Sequence, residues 1–341
     1  MKRFIIASVA IASLASVSAL VAAKPPSAVD TGSARVFLPN PVQLLGDESL
    51  TDQKDSDSAV PASAYRTVTL HDLDGSGFLR GKWANVASET GNPAYSVTNT
   101  FAFTRAHDEF EQVMAYHWIT EAQRYVQSLG FGVAGGRRPV NMESQDVRIN
   151  QWGLDNSFQT NHPKDEMRFG KGGVDDAEDA EVILHEYGHA IQDAQVPGFG
   201  SSLEAGSIGE GFGDYWAVTV TQVLAGGGAL NDPACVADWD SVSYTAGPVH
   251  CLRRVDINKH YPADVVGEVH ADGELWSRAL FDIRGALGAT RADTLILEAQ
   301  FSFAADTTFS AAAAATVATA RDLYGAQIAT TVATVFANRG F

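Results

Sequence analysis

The stretch His-Glu-Tyr-Gly-His at residues 185–189 places two histidines four positions apart. Residues i and i+4 lie one turn apart on the same face of a helix, so His185 and His189 can direct their imidazole nitrogens at one ion. Glu186 then lies beside the open coordination position, where it can take a proton from water. The pattern predicts a helix that carries two ligands of a metal site; a solvated helix face is the alternative.

A third ligand is needed, because a catalytic zinc site has three protein ligands and a water. Glu210 follows His189 by 21 residues and begins a second amphipathic pattern after a glycine-rich turn. Asp214, one turn further on, can accept the second N–H of a ligating histidine. Glu204 is the competing ligand, but only Glu210 has a carboxylate four residues later. We therefore predict zinc ligands His185, His189 and Glu210, with Asp214 behind them.

These residues also resemble a known family. "HEYGH" followed by "EAGSIGEGFGDYWAV" is similar to the fungalysin group of zinc metallopeptidases, and the interval before the third ligand is close to that of thermolysin-like enzymes. Both groups hold zinc with two histidines and a glutamate. The resemblance implies zinc ligands His185, His189 and Glu210, the general base Glu186 and the supporting carboxylate Asp214.

The resemblance extends to two further segments. "DNSFQTNHPKDEMRFGKGG" is similar to the edge strand of thermolysin-like enzymes, which implies that Asn156 and Ser157 pair with an extended peptide; a simple surface hairpin is the alternative. "EVHADGELWSRALFDIR" is similar to the segment whose histidine stabilises the oxyanion, which implies this role for His270. "EVIL" places Val182 on the helix near the ion, where we expect an apolar S1′ pocket for the side chain after the cleaved bond.

Other parts of the family pattern have no assigned counterpart. The arginine for the substrate carbonyl has three candidates, Arg253, Arg254 and Arg278, and no tyrosine partner for the oxyanion stands out. Calcium is possible but unsupported, since the acidic run at residues 175–179 also suits the N-terminus of a helix.

The N-terminal residues, the two cysteines and the net charge indicate where the protein acts and which partners it can have. Residues 1–23 combine Lys2 and Arg3, an apolar stretch and a "VAA" site, as a secretory signal peptide does; an uncleaved anchor is the alternative. We expect a secreted monomer, extracellular or periplasmic, with Cys235 and Cys251 paired. A formal net charge of -17 disfavours nucleic acid and anionic membranes as partners, and leaves peptide or protein substrates.

The predicted fold is α+β with two lobes: a mixed sheet and a long helix in the N-terminal lobe, the zinc-binding helix in the cleft, and a mostly helical C-terminal lobe. Residues 24–60 are expected to be a linker or short pro-segment, residues 61–100 a small β region with a hairpin, and residues 101–341 the metallopeptidase domain. Helical periodicity is clearest at four places: 105–129, 176–194, 207–224 and 272–287.

The sequence thus predicts a zinc-dependent endopeptidase that uses Glu186 as general base. An aminopeptidase of the same clan is one rival, but it needs a carboxylate pair for a free amine, and the segment around Met142 and Glu143 offers only a faint match. A non-catalytic binding protein with a zinc-stabilised fold is the other rival. The glutamate beside the open coordination position argues against it, because a structural site has no use for a base there.

Overall fold

The structure, a computed structural model, describes residues 30–88, 91–162, 164–225 and 230–341. It is an α+β fold, as predicted. The helices are α1 (Pro41–Leu45), α2 (Asp108–Ser128), α3 (Ala180–Gln195), α4 (Leu203–Leu224), α5 (Val269–Leu287), α6 (Ala289–Gln300), α7 (Phe309–Tyr324) and α8 (Ala326–Arg339). The strands are β1 (Gly32–Phe37), β2 (Tyr65–Leu70), β3 (Ala84–Ser88), β4 (Thr100–Phe101), β5 (Gln145–Ile149), β6 (Phe158–Thr160), β7 (Glu166–Arg168), β8 (Cys235–Val236) and β9 (Arg253–Arg254).

The expected signal peptide, residues 1–23, lies outside the described residues. Across the part of the chain that the structure describes, no helix has the length and apolar character needed to cross a membrane.

Strand β1, within the segment expected to be a linker or short pro-segment, belongs to a three-stranded sheet near the N-terminus. Strand β1 pairs antiparallel with β2 and parallel with β4. Val36 and Phe37 are fully buried, and the Phe37 ring meets Phe110 of α2 edge-on at 4.8 Å between centroids. The high Pro, Ser and Asp content of the segment hid this short strand, whose apolar residues span only a few positions.

The hairpin expected around residues 65–86 is also wrong. Strand β2 belongs to the N-terminal sheet, whereas β3 pairs in parallel with β5 in another sheet. The Asp-Gly turn between them is real, because Asp74 Oδ1 accepts a bond of 2.8 Å from Ser76 N and Leu73 bridges Gly81. After the turn the chain enters the second sheet, so β2 and β3 pair with different strands and not with each other.

The second sheet is mixed and has the strand order β3-β5-β7-β6. Strands β3, β5 and β7 run parallel, and β6 lies antiparallel to β7 at the edge. Long helix α2 supports this layer, with Phe110, Met114 and Trp118 fully buried. The edge position of β6 leaves one side of its backbone available beside α3.

The four helical patterns of the sequence correspond to α2, α3, α4 and α5. Helix α3 begins later than predicted, because residues 176–178 form a 3-10 turn and the Asp179 side chain caps the helix at Glu181 N (2.9 Å). Ser202 caps α4 through Ala205 N, and Glu268 caps α5 through the amides of His270 and Ala271. Each cap satisfies amides that the first turn leaves unpaired.

Helices α3, α4 and α5 pack side by side through glycines. A Cβ added to Gly213 of α4 would lie 2.7 Å from His185 Nδ1, and one added to Gly273 of α5 would lie 2.8 Å from the Cβ of Glu210. Only glycine permits helix backbones to approach this closely at these positions. The glycine-rich frame of α4 therefore determines how near its carboxylates come to α3.

The C-terminal part is helical, as predicted, and closes around an aromatic cluster. The Trp276 ring of α5 stacks on Phe336 of α8 at 5.4 Å and approaches Phe341 at 5.7 Å between centroids. Between α4 and α5 the short strands β8 and β9 pair antiparallel. The predicted disulfide between Cys235 and Cys251 is present and joins this connection.

Candidate metal centre

Helices α3 and α4 bring the three predicted ligands together. His185 Nε2 and His189 Nε2 are 3.1 Å apart, Glu210 Oε2 lies 3.2 Å from His185 Nε2, and Glu210 Oε1 lies 3.5 Å from His189 Nε2. Tetrahedral zinc with bonds of about 2.0–2.1 Å puts its donor atoms roughly 3.3–3.4 Å apart. The donor set and its spacing therefore fit a zinc ion with little movement.

Asp214 lies behind this group and orients it. Its Oδ1 is 2.9 Å from His185 Nδ1, the ring nitrogen that faces away from Glu210. Arg253 of β9 donates from Nε and Nη2 to the two oxygens of Asp214, at 2.7 Å each. Burial would raise the pKa of Asp214, but the guanidinium of Arg253 and the bond with His185 lower it to about 2. The ionised carboxylate therefore fixes the His185 ring with Nε2 towards the ligand group.

The electrostatics of the group favour a bound positive charge. Burial alone would lower the pKa of His185, but its bonds with Asp214 and Glu210 outweigh burial and raise the pKa to about 10. Burial would raise the pKa of Glu210, yet the neighbouring histidines hold it far below its ordinary value. A metal ion must displace the proton on His185, so metal affinity falls as the pH falls.

Glu204, the rival third ligand, is directed elsewhere. It lies in the first turn of α4, where its Oε2 accepts a bond of 2.7 Å from the backbone N–H of Phe309. That bond ties α4 to the start of α7. Glu210, six residues later on the same helix, is the glutamate that faces His185 and His189.

His270 lies at the first turn of α5 with its ring close to the ligand group. Its Nε2 is 3.5 Å from Glu210 Oε2, and its Nδ1 is 2.7 Å from Glu268 Oε1. Glu268 also accepts from the amides of His270 and Ala271, and these bonds lower its pKa to about 2. Glu268 was not identified from the sequence. It both caps α5 and orients His270, and the Glu-Val-His order offered a signal for the cap.

Two cavities meet at the ligand group. One, of about 690 Å³, extends past Val182 and Arg253; the other, of about 440 Å³, extends past His189 and Phe199. Four residues line both cavities: Ser157, His185, Glu186 and His270. Glu186 is 6% exposed and lines both cavities. Together they form one cleft that crosses helix α3.

The residues predicted to hold substrate border this cleft. Asn156 and Ser157 directly precede edge strand β6 and line the larger cavity, and the Ser157 hydroxyl donates to Asp176. Val182 is half-buried in the wall of the same cavity. The expected apolar character holds only in part, because Asp176 and Asp240 also line that cavity. No spacing in the sequence indicates that these two aspartates lie in the same cavity as Val182.

Of the three arginine candidates for the substrate carbonyl, one lines the cleft. Arg253 lines the larger cavity and binds Asp214. Arg254 donates to Asp232 and Asp256, and Arg278 donates to Asp282 and to a backbone carbonyl. The pairing of β8 with β9 turns adjacent arginines to opposite sides, which no motif in the sequence indicated.

The acidic run at residues 175–179 contributes several separate contacts. Asp179 caps α3, and Glu178 accepts from Arg105 Nε at 2.9 Å. Asp176 lies elsewhere, within reach of Asp155 and Asp240. One residue of the run therefore caps a helix, one forms a buried ion pair, and Asp176 lines the cleft.

Comparison with known proteins agrees with this geometry. A model of the fungalysin metallopeptidase family (M36) matches residues 94–341. The extracellular metalloproteinase mep of Aspergillus niger is 28% identical over 120 residues, which are 31% of this chain and 18% of the relative. Extracellular metalloproteinase 3 of Trichophyton tonsurans is 24% identical over 219 residues, which are 53% of this chain and 32% of the relative. The matched part thus spans about a fifth to a third of these relatives.

A solved structure has a similar fold. The precursor of protealysin, a metalloproteinase from Serratia proteamaculans, superposes with a TM-score of 0.51 at 16% identity, over 67% of this chain and 78% of the other. At this identity the likeness concerns the fold alone.

Proposed function

Because this chain belongs to the fungalysin family of metallopeptidases, we propose that it is a zinc-dependent endopeptidase that hydrolyses internal bonds of peptides and proteins. One observation carries the proposal: His185, His189 and Glu210 converge with zinc-like spacing where two cavities meet, and Glu186 lines both cavities. A cleft open on both sides of the ligand group suits a chain that continues in both directions from the cleaved bond.

The chemistry divides between the ion and the side chains around it. Bound by His185, His189 and Glu210, zinc would polarise the scissile carbonyl and lower the pKa of a water. Glu186 accepts the proton of the attacking water and passes it to the leaving amine. Asp214 keeps His185 in the tautomer that binds metal through Nε2.

Two further groups act on the substrate carbonyl. His270, held by Glu268 through Nδ1 with its Nε2 towards the ligand group, donates in its protonated form from Nε2 to the oxygen on which negative charge develops. Arg253 uses Nε and Nη2 for Asp214, and we assign its Nη1 to a carbonyl of the substrate in the larger cavity. These donors are fixed before substrate arrives, so little reorganisation is needed during the reaction.

The substrate backbone adds to the sheet edge. Asn156 and Ser157 precede β6, an edge strand whose residues line the smaller cavity, and an extended peptide placed along this edge would run alongside the ligand group. Backbone pairing of this kind recognises any peptide, so side-chain selectivity must come from the cavities.

We also propose that the protein is secreted after removal of residues 1–23 and acts as a monomer outside the cell or in the periplasm. The curated relatives that match are named extracellular metalloproteinases. Residues 101–341 are the catalytic domain in this proposal. The buried contacts of Val36 and Phe37 support the retention of residues 30–100 in the folded enzyme.

Peptides blocked at both ends test the activity. An acetylated and amidated peptide of about ten residues should be cut internally, with loss of cleavage on treatment with a zinc chelator and recovery on addition of zinc. Product masses identify the bond. Cleavage that requires a free amino terminus would assign the aminopeptidase activity instead, and zinc binding without cleavage of any peptide or casein would support the non-catalytic alternative.

A further inference from the structure

The lining of the larger cavity includes a cluster of three aspartates from separate parts of the chain. Asp155, Asp176 and Asp240 each offer a carboxylate oxygen, and these three atoms lie within 4.8 Å of one another. All three residues line the cavity that also contains His185 and Glu186. The cluster is therefore continuous with the proposed catalytic group.

Two oxygens of this cluster are buried without a partner in the described part of the chain. Asp176 is 2% exposed; one oxygen accepts from the Ser157 hydroxyl, while Oδ1 has no hydrogen-bond donor. Asp240 is 4% exposed; its Oδ2 accepts from the Tyr244 hydroxyl at 2.6 Å, while Oδ1 has no donor. An unpaired buried carboxylate oxygen is costly, so both oxygens point to a donor from a ligand.

The neighbouring cations are already paired. Arg253, which lines the cavity, donates to both oxygens of Asp214, and Lys259 donates to Glu274, another lining residue. Burial and the charge of Asp155 raise the pKa of Asp176 to about 7, although its bond with Ser157 opposes this rise. A positive group placed among the three aspartates would relieve this repulsion.

The walls of the cavity indicate what kind of cation fits. Val182, Val236 and Leu252 line the same cavity as the three aspartates. A cavity lined by both apolar side chains and carboxylates suits a long side chain that has methylene groups and a cationic head. A bare metal ion would fill only a small part of a cavity of about 690 Å³ and would make no use of its apolar lining.

We propose that this cavity is the S1′ subsite and that Asp155, Asp176 and Asp240 select lysine or arginine directly after the cleaved bond. The inference rests on the proposed peptidase function and names its preferred substrates. It replaces the purely apolar pocket expected from Val182 alone.

A series of blocked peptides that differ only in the P1′ residue tests this selectivity. Lysine and arginine are compared with norleucine, which has a lysine-like stem without the charge. We expect kcat/KM to be at least about tenfold higher for lysine and arginine, as for a hydrogen bond to a charged group. Higher kcat/KM for norleucine, or equal values, would overturn the proposal.

Two isosteric variants and a matched control locate the effect. Asp176→Asn and Asp240→Asn should each lower the lysine-to-norleucine ratio of kcat/KM by about tenfold. Asp322→Asn removes the same charge from an exposed position on α7 and should leave the ratio unchanged. If either buried variant fails to fold, Asp155→Asn provides the same comparison at a more exposed member of the cluster. An unchanged ratio in the folded variants would refute the assignment.

Two additional measurements test the lysine subsite independently of the peptidase function. Fluorescence anisotropy of the blocked peptides on zinc-loaded Glu186→Gln should show tighter binding of the lysine peptide than of the norleucine peptide; equal affinity would overturn the subsite even if the wild type cleaves nothing. Discrimination in binding without cleavage by the wild type would reject the peptidase function and keep the subsite. The cluster would instead be a metal site if the wild type binds calcium, Asp176→Asn abolishes that binding, and the wild type shows no preference for the lysine peptide. That result would overturn the proposal.

Discussion

Replacement of Gly213 by alanine should disturb the metal centre directly. The added Cβ would lie 2.7 Å from His185 Nδ1 and 2.8 Å from its Cε1. An ordinary contact is about 3.5 Å, so the imidazole or helix α4 must move by about 0.8 Å. Ligand positions in a metal site are accurate to about 0.2 Å, so we expect Gly213→Ala to weaken zinc binding by about 10- to 100-fold.

Gly209, one turn earlier on the same helix, provides a matched control. Its added Cβ would meet Gln192 Oε1 at 3.5 Å and His189 Cε1 at 3.8 Å, which are ordinary contacts. Gly209→Ala should retain zinc affinity and gain up to about 1 kcal/mol in unfolding free energy from helix propensity. In Gly213→Ala the same gain is opposed by about 1–3 kcal/mol of overpacking.

The assay is competition for zinc against a fluorescent chelator, with thermal unfolding of the metal-free and zinc-loaded forms. Gly213→Ala should release zinc at a lower chelator concentration than the wild type, and Gly209→Ala should match the wild type. The reasoning is refuted if Gly213→Ala binds zinc as tightly as the wild type, or if both alanine variants lose affinity equally.

Three other predictions concern Asp214, His270 and the disulfide. Asp214→Asn should lower zinc affinity by about 10- to 100-fold, because an amide does not hold His185 as a carboxylate does; unchanged affinity in the chelator competition would count against the assigned contact. His270→Gln should lower kcat by about 100-fold with zinc content retained, whereas a parallel loss of zinc would show a ligand role instead. Joint replacement of Cys235 and Cys251 by serine should cost about 3 kcal/mol of unfolding free energy in urea titrations, and an unchanged midpoint would contradict this.

The helices were predictable because their signals are local. The apolar spacing and capping residues that define α3 and α4 lie within or next to each helix, and so does the four-residue interval between His185 and His189. Glu210 could be preferred over Glu204 because Asp214 follows it by one turn. The predicted ligands converge because two adjacent helices are sufficient to bring them together.

The features that the sequence did not indicate depend on contacts between distant segments. Strand β1 is recognisable only once β2 pairs with it, since its own apolar pattern is short. Arg253 differs from Arg254 only through the pairing of β8 with β9. The acidic cluster in the larger cavity combines Asp155, Asp176 and Asp240 from three separate segments, and no interval in the sequence predicts their proximity.

The most direct test of the account compares the wild type with Glu186→Gln for zinc content and for cleavage of a peptide blocked at both ends. Elemental analysis should find about one zinc per chain in both proteins, because Glu186 is not a ligand. The variant should lose at least about 100-fold in kcat, because amide oxygen and nitrogen do not accept a proton from water at neutral pH. A zinc-loaded variant that cleaves at the wild-type rate would contradict the assignment of Glu186 as the base.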